Sequence, residues 1–270
     1  MREKQLLVEP EHYLEVNRVL NLLLSKHKEL LGARLVGMYV FGSLVTGDFD
    51  FDVSDIDLVA ITTQDISQED LERLKKLHEE IARENKDWAD RIEVGYISKV
   101  KIRRYDSNYR QALISPGEPI HFRSVGKDWI INRRLLREKG VSLYGPSPKT
   151  LIDPVTKAEF KQAVEELTIE WERWITNLEV MRPRKYQAYS ILTMCRILYA
   201  FRNGYVISKI EAADWAKIEL PEWSNLIDEA VSWRKDWRNE NVDHDSTLPE
   251  TLRFIRLVIK QIIGDREVIS

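Results

Sequence analysis

Residues 39–62 read YVFGSLVTGDFDFDVSDIDLVAIT. An apolar run ends in Gly42-Ser43, a short polar loop containing Gly47 follows, and Ser54-Asp55-Ile56-Asp57 opens a second apolar, β-branched run. Both runs have the composition of strands. Side chains alternate across a strand, so Asp55 and Asp57 share one face. Two carboxylates side by side repel unless a cation sits between them. Mg²⁺ is a hard cation that takes one or two carboxylates together with phosphate oxygens. Gly42 allows the backbone to approach a ligand closely, and Ser43 offers a hydroxyl and an N–H to a phosphate. Asp48, Asp50 and Asp52 read as solvated loop acids.

Working outward, residues 34–41 and 55–62 are strands, and 91–98 (RIEVGYIS) alternates as a third. Glu93 on that third strand supplies a further acid if the strand pairs beside the Asp55–Asp57 strand. Three carboxylates at one edge suit metal-assisted phosphoryl or nucleotidyl transfer, in which a carboxylate accepts the attacking hydroxyl's proton. Residues 11–31, 66–87 and 127–139 carry helical periodicity, and 141–144 is a last short apolar piece before the Gly-Pro-Ser-Pro break at 145–148. Beyond it the strands stop, and 157–180, 184–203, 208–219, 222–237 and 247–263 read as helices. The fold class is therefore α+β: a mixed sheet with flanking helices over residues 1–148, then an all-α bundle over 149–270.

Composition narrows the class. In 270 residues, 41 Lys and Arg stand against 44 Asp and Glu, a net charge of −3. That balance argues against a nucleic-acid coat. The single cysteine, Cys195, excludes an internal disulfide and reads as core. Neither a signal peptide nor an apolar run of the roughly 18 residues a membrane helix needs is evident. The expectation is a soluble, cytoplasmic monomer that binds neither nucleic acid nor membrane. His12, His27, His78, His121 and His244 show no metal-ligand spacing. Trp171, Trp174, Trp215, Trp223, Trp233 and Trp237 in the helical half read as packing residues.

The pattern Gly42-Ser43 … Ser54-Asp55-Ile56-Asp57 resembles the signature of the nucleotidyltransferase superfamily related to DNA polymerase β. Its spacer, residues 44–53, is one residue longer than in the nearest relatives of that pattern, which affects loop shape more than the assignment. Residues 186–216, with Leu192, Arg196-Ile197, Tyr199, Gly204, Val206, Lys209 and Ala212-Ala213-Asp214-Trp215-Ala216, are similar to the C-terminal domain of the aminoglycoside adenylyltransferases that modify streptomycin and spectinomycin. The resemblance implies that Asp55 and Asp57 hold Mg²⁺, as two ions, and that Glu93 is the catalytic base and touches the acceptor. It further implies that Gly42, Ser43, Ser54, Arg196 and Lys209 bind ATP. Physics agrees for two of these. Arg196 is a cation in a mostly apolar helix, and Lys209 sits at a helix start, the unfavourable end for a cation. An anionic partner would resolve both.

The acceptor implied is a hydroxyl of an aminoglycoside or aminocyclitol. RKYQAY at 184–189 has Tyr186 and Tyr189 where the family carries an acidic residue and often a histidine. Tyrosine stacks on a sugar ring but brings no negative charge. KIRRY at 101–105 replaces the family's aromatic segment and reads as a basic rim. Both departures favour spectinomycin over the more highly charged streptomycin. Two other readings stand beside this one. A nucleotidyltransferase acting on a protein or RNA hydroxyl would label macromolecules, and a silent nucleotide-binding module would bind ATP without turnover.

Overall fold

A computed structural model describes residues 10–239 and 241–264. By internal contacts the chain separates into two units, Met1–Val155 and Thr156–Ser270.

In the first unit, α1 (Pro10–Leu31) buries Val16, Val19, Leu20 and Leu23, a stripe of helical spacing. It leads into β1 (Leu35–Val40). The segment after β1, read above as loop, begins with a one-turn helix, α2 (Ser43–Thr46), closed by Gly47 in the left-handed conformation. Next come β2 (Ile56–Thr62), α3 (Gln68–Glu84) with a Ser67–Asp70 capping box, and β3 (Ile92–Ser98). Then follow α4 (Lys99–Arg103), β4 (Arg110–Ser115), β5 (Glu118–Ser124), α5 (Asp128–Lys139), β6 (Val141–Tyr144) and α6 (Pro148–Leu151).

Among the described residues the strands form one six-stranded sheet in the order β5-β4-β3-β2-β1-β6. β2 and β3 run parallel and the other neighbours antiparallel. The parallel pair is central, and residues 58–61 and 94–97 are buried on both faces, which is why these runs are continuously apolar. Leu74, Leu77 and Ile81 of α3 pack with α1 into the same core. α1 and α3 share the Tyr96 face of the sheet, where His27 and His78 meet the Tyr96 hydroxyl. α5 covers the opposite face, with its Trp129 ring against Gly95.

The β4–β5 hairpin went unread in the sequence. It turns at Pro116-Gly117, with Gly117 at φ 76°, the left-handed value that the third position of such a turn requires. β5 is an edge strand that exposes Glu118, Pro119, Arg123 and Ser124, so its hydrophobic alternation is weak.

In the second unit, α7 (Lys157–Trp174) opens on a Thr156–Glu159 capping box. The single helix read over 157–180 is broken: α7 stops at Trp174, and the Asn177 side chain caps a separate turn, α8 (Leu178–Met181). Asn competes well for a helix start because its oxygen accepts a free N–H, here that of Val180. α9 (Arg184–Asn203) is the most buried helix, ended by Gly204 at φ 76°. α7, α10 (Lys209–Glu219), α11 (Ser224–Lys235) and α12 (Leu248–Ile263) pack around it. Cys195 lies in this core, its thiol pushed up to about 12 by burial. Among the described residues, no helix is long and apolar enough to cross a membrane.

Candidate active site

β1 delivers Gly42, β2 delivers Asp57, and the parallel register sets Asp57 directly beside Glu93. One ligand oxygen from each of Asp55, Asp57 and Glu93 lies within 4.8 Å of the others. All three side chains are half-buried. This is a hard-oxygen donor set of the kind that could hold a divalent cation such as Mg²⁺.

Gly42 is fixed by two constraints. Its backbone sits at φ 65°, ψ −145°, a region essentially reserved for glycine. A Cβ here would stand 1.7 Å from Asp57 Oδ2. The backbone of residue 42 therefore lies against the carboxylate. Ser43 opens α2, and its hydroxyl is buried with no hydrogen-bond partner among the described residues. An unsatisfied buried hydroxyl beside three acids is a place for a ligand atom.

The loop between α2 and β2 is tied down from behind. The Ser54 hydroxyl accepts from the Asp50 amide at 3.0 Å, and Ser54 is buried. Arg91 donates to the Ser54 carbonyl (Nε, 3.0 Å) and the Phe51 carbonyl (Nη2, 2.5 Å) and stacks on Trp88. These contacts hold the chain just before Asp55. Asp52 is exposed as read, but Asp48 and Asp50 are half-buried and bond within the loop, Asp48 to Thr46 and Asp50 to the Asp52 amide. A short loop needs its own acceptors for amides that no strand pairs. The Arg91 contribution left no sequence signal beyond an arginine opening an apolar strand.

Glu93 is pushed up to about 7, first by burial and then by the nearby Asp55 charge. The Ser115 hydroxyl and Arg123 pull it back, and Asp128 adds to the rise. Burial likewise raises Asp128, opposed by Arg123 and by the amides of Asp128 and Trp129. Ser115, Arg123 and Asp128 were not singled out in the sequence; two of them belong to the unread hairpin.

The basic stretch 101–104 does not flank Glu93. It starts beyond the far end of β3, about 17 Å of extended chain from Glu93 at 3.3 Å per residue. Its charges are also engaged: Lys101 pairs with Asp65 at 2.6 Å, and Arg103 and Arg104 pair with Asp153 at 2.9 and 2.7 Å. The basic rim expected from the sequence is therefore corrected, and with it one of the two grounds for separating spectinomycin from streptomycin.

The remaining sequence candidates lie in the second unit. Tyr186 and Tyr189 are exposed on α9, with Trp171 and Trp174 near Tyr189 at 6.2 and 6.4 Å between ring centroids. The Lys209 ammonium stands 4.8 Å over the Tyr189 ring. Lys209 is the first residue of α10, behind a Ser208–Glu211 capping box. Arg196, two turns after Tyr189 on the same helix face, is half-buried and makes no ion pair or hydrogen bond among the described residues.

Comparison with known proteins agrees with this geometry. A family model described as a nucleotidyltransferase domain matches residues 19–115, and one described as the C-terminal domain of aminoglycoside adenylyltransferase matches residues 150–261. Residues 19–115 are thus similar to a nucleotidyltransferase domain. A spectinomycin 9-adenylyltransferase of Staphylococcus aureus is 27% identical over 226 residues, covering 79% of this chain and 82% of the relative. An aminoglycoside (3'')(9) adenylyltransferase of Klebsiella pneumoniae is 26% identical over 132 residues, 47% of each chain. Among solved structures, the spectinomycin adenyltransferase AAD(9) of Enterococcus faecialis, crystallised with ATP and spectinomycin, matches with a TM-score of 0.73. It is 19% identical, over 90% of this chain and 99% of that one. Within the nucleotidyltransferases, this chain stands close to the aminoglycoside adenylyltransferases.

Proposed function

We propose that this chain transfers the adenylyl group of ATP to a hydroxyl of an aminocyclitol antibiotic, spectinomycin in preference to streptomycin, with release of pyrophosphate. The observation that carries the reading is the convergence of Asp55, Asp57 and Glu93 beside the Gly42-Ser43 turn. The spectinomycin-modifying relatives supply the acceptor class.

Asp55 and Asp57 would hold Mg²⁺, as two ions. Bound metal neutralises triphosphate charge and favours departure of pyrophosphate. Gly42 brings the backbone close to the phosphates, and the orphaned Ser43 hydroxyl donates to one of their oxygens. Ser54 acts from behind, keeping the loop and hence Asp55 in place. Glu93, with its raised proton affinity, accepts the proton of the acceptor hydroxyl as the oxygen attacks the α-phosphate. The P–O bond to pyrophosphate breaks as the new P–O bond to the acceptor forms. Arg196 and Lys209 are assigned to ATP phosphates: Arg196 because a half-buried cation with no ion pair among the described residues favours an anionic ligand, and Lys209 because the family resemblance places a phosphate-binding lysine at this helix start. Tyr186 and Tyr189 are assigned to the acceptor's rings; without an acid among them, they suit the less charged spectinomycin. Residues 1–148 are taken as the catalytic domain and 149–270 as the domain that completes substrate binding. The protein is taken to act as a cytoplasmic monomer.

The test is pyrophosphate release with ATP and Mg²⁺ across spectinomycin, streptomycin, kanamycin and lincomycin. Release with spectinomycin, lost in Glu93→Gln with ATP binding retained, supports the reading. Full turnover in Glu93→Gln removes Glu93 from the mechanism. Label from ATP appearing in protein or RNA instead would move the acceptor to a macromolecule.

A further inference from the structure

The first turn of α5 lies over β3 on the Glu93 face, because the Trp129 ring is 3.2 Å from where a Cβ on Gly95 would stand. Gly95 is two residues from Glu93, one repeat along the same face of the strand. Asp128 precedes Trp129, is half-buried, and folds its carboxylate back over Gly126, 2.4 Å from that residue's would-be Cβ. The antiparallel register of β3 with β4 brings Ser115 opposite Glu93, and β5 carries Arg123 on the same side of the sheet. Asp128 is thus a second carboxylate on the Glu93 side of the sheet: its charge adds to the rise of Glu93, burial raises Asp128 itself, and the exposed Arg123 opposes both. Asp128 lies outside the trio whose oxygens converge as a cation site. A carboxylate beside the base, short of water and not among the metal donors, calls for a cation from elsewhere.

We propose that the Asp128 carboxylate seats an ammonium group of the acceptor, next to the hydroxyl whose proton Glu93 takes. This rests on the aminocyclitol reading above. In an aminocyclitol, amines and hydroxyls stand on neighbouring ring carbons, so an ammonium held by Asp128 presents the adjacent hydroxyl to Glu93. The interaction is a charge-assisted hydrogen bond and changes no covalent bond. Arg123, on the edge strand, is the internal cation that the ammonium replaces. Asp128 is thus a specificity-determining residue that chooses which hydroxyl meets the base.

The test is steady-state kinetics of Asp128→Asn with spectinomycin at saturating ATP and Mg²⁺. Asparagine keeps the shape and still accepts the backbone amides. The acceptor KM should rise about 10- to 100-fold, the worth of one hydrogen bond to a charged group, while ATP KM and Mg²⁺ dependence stay as in the wild type. Asp128→Glu should restore most of the affinity, and an N-acetylated aminocyclitol, which carries no ammonium, should inhibit wild type and Asp128→Asn equally. An unchanged acceptor KM, an equal loss of affinity for the acetylated compound, or a shift confined to Mg²⁺ dependence would each overturn the assignment. Absence of transfer by the wild type to any aminocyclitol would overturn the parent reading as well. Transfer by the wild type with an unchanged KM in Asp128→Asn overturns this one alone.

Discussion

Gly42→Ala should disable the site through Asp57 rather than through the fold. The new methyl would start 1.7 Å from Asp57 Oδ2, whereas real Cβ atoms stay beyond 3.0 Å, so the carboxylate must retreat by at least about 1.3 Å. The strand cannot move with it, because the Phe41 amide donates to the Asp57 carbonyl at 3.1 Å and β2 is hydrogen-bonded on both sides. A reacting group misplaced by about 1 Å costs on the order of 100-fold in rate. The backbone conformation itself costs alanine roughly 1–3 kcal/mol, which lowers the melting temperature by about 2–10 °C for a domain of this size. Pyrophosphate release and a thermal melt read the two effects separately. The expected result is kcat/KM down about 100-fold or more in a protein that still melts cooperatively. Because the damage passes through Asp57, the double variant Gly42→Ala/Asp57→Ala should be no worse than Asp57→Ala alone. Near-normal kcat/KM in Gly42→Ala, or full additivity in the double variant, would refute the placement of Gly42 against a working carboxylate.

Further outcomes follow from other contacts. Arg196→Met should raise the ATP KM about 10-fold or more without lowering the melting temperature, since no ion pair is broken; an unchanged ATP KM would remove Arg196 from the nucleotide site. Tyr96 bridges two buried imidazoles. His27 Nδ1 must donate to the Leu23 carbonyl, so its Nε2 accepts from the Tyr96 hydroxyl, which in turn accepts from His78 Nε2–H. Tyr96→Phe strands both rings and should cost about 2–4 kcal/mol, measured by urea unfolding. Burial lowers His27 to about 4 and His78 to about 3. The unfolded chain therefore takes up protons below about pH 6.5 that the native state refuses, so stability present above that pH is lost as pH falls towards 4. Glu93 acts in the opposite sense: its raised value favours the native state below about pH 4.5 and loses that contribution as pH rises through 7. The wild-type minus Glu93→Gln difference in melting temperature in EDTA isolates this loss, and added Mg²⁺ should abolish it. A difference that is flat with pH would contradict the electrostatics of the acid cluster.

Much of this was legible in residues 39–62 and 91–98, because a parallel, doubly buried strand pair writes itself as two continuous apolar runs, and Asp55 and Asp57 interrupt theirs at fixed spacing. The pairing of Asp57 with Glu93 followed once those strands were neighbours. The hairpin at Arg110–Ser115 and Glu118–Ser124 was not legible: its outer strand faces water and carries Glu118, His121 and Arg123, so its pattern resembles a loop. With it went Ser115, Arg123 and Asp128, which reach Glu93 only through cross-strand register and the seating of Trp129 on Gly95. The 101–104 stretch misled for a related reason. Its basic composition in place of the family's aromatic segment suggested a charged rim, whereas an extended strand carries the chain away from Glu93 and Asp65 and Asp153 pair its charges. His27 and His78 sit on amphipathic helices with no spacing signal, and only the facing Tyr96 gives them a role.

The central claim is that the acids gathered at Gly42 move an adenylyl group from ATP to an aminocyclitol hydroxyl. Mass spectrometry of spectinomycin incubated with the protein, ATP and Mg²⁺ tests it most directly. The account predicts a product heavier by one adenylyl group, formed with stoichiometric pyrophosphate and absent with Glu93→Gln. Unmodified spectinomycin after exhaustive incubation with folded, ATP-binding protein would contradict it.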